Sequence, residues 1–127
     1  MQNRYLFKIS KNGKTLTSCQ KDIEGHLEIP EGIEKIGEWA FFYCDMITSI
    51  IIPSGTILIG DCAFSRCSRL SSIVIPNGVT EIGNCAFSGC SNLNSVVIPE
   101  SVKRIGDYAF EDCESLTSII LPNSIIE

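Results

Sequence analysis

Residues 75–97 read IPNGVTEIGNCAFSGCSNLNSVV, and the same frame fits the chain three more times, at 29–51, 52–74 and 98–120, with residues 121–127 starting another. All five prolines (Pro30, Pro53, Pro76, Pro99 and Pro122) stand 23 residues apart. All four alanines keep that period at Ala40, Ala63, Ala86 and Ala109, and each is followed by a phenylalanine: Phe41, Phe64, Phe87 and Phe110. Gly37, Gly60, Gly83 and Gly106 share the register, as do Cys44, Cys67, Cys90 and Cys113. A period of this size signals a solenoid, because one such coil cannot bury its own apolar face and must stack on neighbours.

Within the frame, Leu93, Val96 and Ile98 follow an L-x-x-L-x-L spacing that predicts a strand, with Val96 and Ile98 facing inward. Pro99 ends it, since it has no N–H to donate to a ladder. Val102 and Ile105 form a second inward pair. Gly106 is expected at a turn with positive φ. Asp107, with Asp61 and Asn84 in the same slot, is expected to cap one short helical turn that directs Ala109 and Cys113 into the interior. Coils stacked about 4.8 Å apart turn each column into a continuous file, and each buried Phe or Leu then contributes on the order of 1.5–3 kcal/mol.

The joint pattern IPxGVTxIGxxAFxxCxxLxSIxIP, from Ile29 to the C-terminus, resembles the BspA-like class of leucine-rich repeats. The resemblance implies a β-rich leucine-rich-repeat solenoid used for recognition, with about four stacked 23-residue coils, each holding a strand and a short helical turn. Such repeats occur in many bacterial and protozoan surface proteins and bring no shared catalytic residues to carry over. Thr56, Ile57 and Leu58 depart from the pattern, which puts a hydroxyl at an inward column and two aliphatics outside; Ile47 replaces the leucine of the other blocks.

Residues 1–28 break the period. Tyr5–Ser10 and Lys14–Cys19 are β-prone runs separated by Lys11-Asn12-Gly13, a hairpin signal. The expected division is an N-terminal β-hairpin cap over 1–28 and the solenoid over 29–127. Charge follows it: Arg4, Lys8, Lys11, Lys14 and Lys21 against Asp22, Glu24 and Glu28 give the cap +2, and the repeats hold −7 of the chain's net −5.

The 127 residues, 44% hydrophobic, suit one domain with a core and exclude a disordered tail. No stretch approaches the ~20 apolar residues of a membrane helix, so no membrane insertion is expected. The acidic balance argues against a nucleic-acid partner. Met1–Ser10 shows no apolar run after Arg4, so no secretory signal is read there. That, with cysteines expected to remain thiols, favours the cytoplasm, whereas the family resemblance points to the cell surface.

Seven cysteines would suggest a disulfide scaffold in a secreted protein. Their period suggests small buried apolar side chains instead. Stacking would bring equivalent Cα atoms near 5 Å, so geometry alone does not forbid a bridge, but side chains in parallel register usually lack the torsion that a bridge needs, and free buried thiols are the expectation. Cys62 and Cys85, sharing a slot with Trp39 and Tyr108, are expected to be partly buried, and Cys19 is expected to be the exposed thiol. Cys62-x4-Cys67 and Cys85-x4-Cys90 are explained by the period and do not match zinc-knuckle spacing. Nothing in the sequence places the single histidine, His26, beside a cysteine. Glu81, Glu100, Asp107, Glu111, Asp112 and Glu114 fall on outward turns, where solvation is the expectation rather than paired acid–base chemistry. No catalytic residue, cofactor or metal is assigned.

The strand face offers the candidate site. Its outward columns are Thr48, Ser71, Asn94 and Thr117; then Ser49, Ser72, Ser95 and Ser118; then Ile51, Val74, Val97 and Ile120. The third is aliphatic. β-propensity alone accounts for such a row, and so does a contact surface for a protein partner; both stay open at this point. The expected function is a non-enzymatic protein–protein interaction module binding through this face. The alternative is a cell-surface or adhesion protein that binds host proteins or glycans. Residues 121–127 are too few to complete a coil, which would leave the inward edges of Ile105, Phe110 and Leu116 open to self-association through the C-terminal coil.

Overall fold

Two β-prone stretches in each block become rungs of two sheets. The computed structural model describes residues 7–20, 22–117 and 119–125, so Arg4, Tyr5, Lys21, Ser118 and residues 126–127 lie outside it. The strands are β1 (Phe7–Ile9), β2 (Thr15–Cys19), β3 (Gly25–Glu28), β4 (Lys35–Ile36), β5 (Ile47–Ile51), β6 (Leu58–Ile59), β7 (Ser72–Val74), β8 (Glu81–Ile82), β9 (Ser95–Val97) and β10 (Arg104–Ile105). One sheet runs β1-β2-β4-β6-β8-β10 and the other β3-β5-β7-β9. Successive coils pair in parallel at the repeat spacing: Ile36 with Ile59, Ile59 with Ile82, Ile50 with Ile73, and Ile73 with Val96. At the N-terminal end β1 pairs antiparallel with β2 through the turn at Asn12-Gly13, where Gly13 takes φ 77°. β2 and β3 then pair in parallel with β4 and β5, one in each sheet.

The core lies between the two sheets as files of like residues. Phe41, Phe64 and Phe87 are fully buried, and their rings stack with Phe110 at centroid spacings of 5.1, 5.3 and 5.3 Å and planes within 6°. Phe7 closes the N-terminal end of this file, edge-on to Phe41 at 6.3 Å. Phenylalanine thus joins alanine and cysteine inside, and Thr56 occupies its inward column with Oγ1 donating to the Ile33 carbonyl at 3.0 Å. Cys19 corrects an expectation: it is buried at 8% exposure, because the strand that carries it packs its Leu16 and Cys19 side chains into the core.

The expected helical turn is absent: among the described residues the Ala-Phe segment contains no helix. It is a run of turns in which alternate amides face the next coil. Trp39, Phe41 and Tyr43 donate to the carbonyls of Asp61, Ala63 and Ser65 at 3.0, 2.7 and 2.9 Å. Cys62, Phe64 and Arg66 repeat this to Asn84, Ala86 and Ser88, and Cys85, Phe87 and Gly89 to Asp107, Ala109 and Glu111. A helix would turn every amide back along its own axis. Here half of them build a third hydrogen-bonded wall, and the backbone meets that geometry by taking left-handed φ near 60° at Trp39, Tyr43, Cys62, Arg66, Cys85, Tyr108 and Asp112.

Two further expectations change with it. Asp61 and Asn84 cap no helix; Asp61 Oδ1 accepts the Asn84 amide and Asn84 Oδ1 accepts the Asp107 amide, both at 2.8 Å, as a side-chain ladder between coils. The periodic glycine is not at positive φ. It is needed because a Cβ on Gly83 would stand 2.6 Å from the Asp61 amide nitrogen, and one on Gly106 would run into Asn84.

Candidate binding face

The four-stranded sheet turns Ile50 and Ile73 inward, each 3% exposed, and so turns Ile51, Val74 and Val97 outward. Ile51 pairs directly with Val74, and Val74 with Val97, so the three side chains stand side by side across β5, β7 and β9. They are 51%, 67% and 65% exposed. Ile120 continues the row at 84% exposure, beyond the last strand of this sheet. With Asn94, Ser95, Val96, Val97 and Ile98 it lines a shallow concavity of about 360 Å³.

The polar columns lie beside this row. Thr48, Asn94 and Thr117 are exposed, while Ser71 is half-buried with Oγ donating to the Thr48 carbonyl at 3.3 Å. Ser72 and Ser95 are exposed. Ser49 is half-buried, and its Oγ is hydrogen-bonded to His26 Nδ1 at 2.6 Å; Nε2 of the same ring lies 3.8 Å from Glu28 Oε2. His26 and Glu28 come from β3, where Glu28 pairs with Ile51 and so heads the aliphatic row with a carboxylate. This polar end was missed in the sequence, although His26 precedes Ser49 by one full period. The signal lay in extending the 23-residue count upstream of Ile29.

Other expected positions fall elsewhere. The thiols of Cys67, Cys90 and Cys113 point inward and donate to the carbonyls of Phe41, Phe64 and Phe87 at 3.2, 3.1 and 3.1 Å. Burial pushes Cys90 up to about 12 and Cys113 to about 11, so both stay protonated at neutral pH. All seven cysteines stand as thiols, and Cys62 and Cys85 are half-buried. Among the described residues, no three His, Cys, Asp or Glu side chains converge into a group able to hold a metal. On the wall of turns, Trp39 and Tyr43 are exposed around half-buried Phe42, with ring spacings of 4.9 and 5.6 Å, and the Arg66 guanidinium lies 5.9 Å from the Tyr43 centroid. At the C-terminal end, half-buried Ile105, Phe110, Ile119 and Ile125 line an apolar concavity of about 490 Å³. Among the described residues no helix is long and apolar enough to cross a membrane.

This geometry has counterparts. No curated protein matches the chain. Among solved structures, a leucine-rich repeat protein from T. pallidum is 27% identical with a TM-score of 0.71, covering 95% of this chain and 71% of its own. A leucine-rich repeat protein from Bacteroides ovatus is 34% identical with a TM-score of 0.80, over 94% of this chain but 33% of its own length. A leucine rich cell surface protein from Faecalibacterium prausnitzii is 30% identical with a TM-score of 0.63, over 89% of this chain and 36% of its own. The chain therefore spans about a third of the latter two. The BspA type leucine-rich repeat region matches residues 14–127 in six copies, and the chain belongs to that family.

Proposed function

We propose that the chain is a non-enzymatic protein-interaction module that takes a protein partner on the face of β5, β7 and β9. The observation that supports this reading is the exposed row Ile51–Val74–Val97–Ile120, with its strand members in direct register. Four side chains about 4.8 Å apart make a narrow ridge, whereas a stable interface needs about 800 Å² on each partner. The contact must therefore extend onto Thr48, Ser71, Asn94 and Thr117, whose small polar groups suit the hydrogen-bonded rim of an apolar strip. The test is a pull-down comparing the chain with the double variant Val74→Lys, Val97→Lys. Loss of partners from the variant is expected; equal retention by both proteins removes the strand-face reading.

A surface role binding host proteins or glycans is supported by the F. prausnitzii neighbour, itself described as a cell surface protein. Seven thiols favour a reducing compartment instead. Protease treatment of intact source cells separates the two, since only a surface protein is digested. A capping role for the segment before residue 29 is supported by the β1–β2 hairpin and by Phe7, which closes the N-terminal end of the phenylalanine file. The half-buried edges of Ile105, Phe110 and Leu116 support self-association through the C-terminal coil. Light scattering at about 0.1 mM, above typical weak-interface dissociation constants, tests that contact, and a clean monomer overturns it.

A further inference from the structure

Five of the seven cysteines are buried; Cys62 and Cys85 are the two that are only half-buried. They occupy one slot in adjacent coils. Their backbones match: φ is 57° at Cys62 and 58° at Cys85, and each amide donates to the next coil at 2.9 Å, to Asn84 and to Asp107. Side chains that leave identical backbones in stacked coils point the same way, so the two thiols stand side by side on adjacent coils. The pair that meets is therefore not the one four residues apart in sequence. Cys67 turns inward to the Phe41 carbonyl, while Cys62 stands beside Cys85 of the next coil.

We propose that Cys62 and Cys85 form a two-coordinate site for a soft, thiolate-seeking d10 cation, with Cu(I) as its biological representative. Coil spacing selects this ligand over a disulfide. Sulfurs carried about 4.8 Å apart would have to close to about 2.05 Å and twist to a torsion near 90° to bond to each other. An ion seated between them at about 2.3 Å from each sulfur needs no closure, and it bridges two parallel side chains in a line. Ligand count sets the metal class. Asp61 and Glu38 lie close enough to act on Cys62 electrostatically, yet no third group completes a cluster among the described residues. Zinc, which takes four ligands in structural sites, is poorly served by such a pair. Trp39 and Tyr108 fill the same slot one coil to either side and flank the pair along the rod.

Binding is an exchange of protons for metal. One Cu(I) ion and two thiols give a bis-thiolate complex of charge −1 and release two protons to solvent; no electron is transferred and no oxidant is needed.

The test is an anaerobic titration of the reduced chain with Cu(I) against bicinchoninate as competitor, followed through the fluorescence of Trp39, the single tryptophan. One equivalent of Cu(I) is expected to bind with quenching. Cys62→Ser and Cys85→Ser should each abolish the quenching and weaken binding by roughly 100-fold or more, as loss of one of two ligands requires. Should either variant fail to fold by circular dichroism, X-ray absorption of the Cu(I)-loaded unaltered chain decides, with two sulfur neighbours expected. Undiminished binding by a folded serine variant, three or more sulfur neighbours, or no competition with bicinchoninate would overturn the site.

Discussion

Cys90 donates its thiol hydrogen to the carbonyl oxygen of Phe64, 3.1 Å away and more than one coil back in sequence. The same carbonyl also accepts the Cys67 amide at 3.3 Å. The periodic cysteine is therefore more than a small apolar filler: its S–H supplies a second donor to a carbonyl buried in the stack. Cys90→Ala should cost about 1–2 kcal/mol, from a lost hydrogen bond plus a small cavity. Cys90→Ser, which keeps a donor, should cost less than alanine. Urea denaturation of the three proteins measures the difference.

The same thiol makes stability fall at alkaline pH. Burial raises Cys90 from 9.0 to about 12. Below pH 9 folded and unfolded chains both hold the proton. Between pH 9 and 12 the unfolded chain releases it and the folded chain does not, so each rise in pH favours unfolding, by up to about 1.4 kcal/mol per unit for one such thiol. Cys113, raised by its burial to about 11, adds to this over a narrower window. Urea midpoints at pH 8, 9 and 10 should decline, and Cys90→Ala should flatten the decline.

Gly83 and Gly55 should respond oppositely to alanine. A Cβ at Gly83 meets the Asp61 amide nitrogen at 2.6 Å, backbone that cannot yield without breaking the wall, so Gly83→Ala should destabilise by about 2–3 kcal/mol. At Gly55 a Cβ meets nothing within 4 Å and φ is not positive. Gly55→Ala should leave stability unchanged or raise it by up to about 1 kcal/mol through the unfolded chain. Thermal melts of both variants suffice.

Position along the phenylalanine file should grade the cost of truncation. Phe87 is fully buried between Phe64 and Phe110, so Phe87→Ala should cost about 3–5 kcal/mol. Phe110 is half-buried and has its stacking partner on one side, so Phe110→Ala should cost roughly half as much. Equal losses in chemical denaturation would show that the file does not act as a graded stack.

What could be read from the letters is what the count of 23 dictates. It places Phe41, Phe64, Phe87 and Phe110 in one file, sets Ile50 in and Ile51 out, and sends the Thr56 hydroxyl inside. The wall of turns was hidden because A-F-x-x-C spacing fits one helical turn as well as it fits alternating turns. Only the destination of the Phe41 and Tyr43 amides, in the next coil, distinguishes them. Glycine misled for a related reason. Left-handed φ falls at Trp39, Cys62 and Cys85, where amide bonds to the next coil hold it, and glycine is kept where a neighbouring backbone leaves no room. Cys19 was misjudged because the count slips in its strand, where Leu16 pairs with Ile36 at a separation of 20. The place of His26 beside Ser49 was missed although the count still holds there, with Leu27 pairing Ile50 at 23, because the first block was begun at Ile29.

The side-chain ladder from Asp61 through Asn84 to Asp107 advances by one and the same step as the walls beside it. Reach is consequently an adjustable dimension of this molecule. Excising residues 52–74 would bring Ile51 against Ile75 and let every later rung slide into the vacated berth without a change of partner type. Evolution can shorten or extend such a protein by whole courses, like masonry, while the joints stay the same.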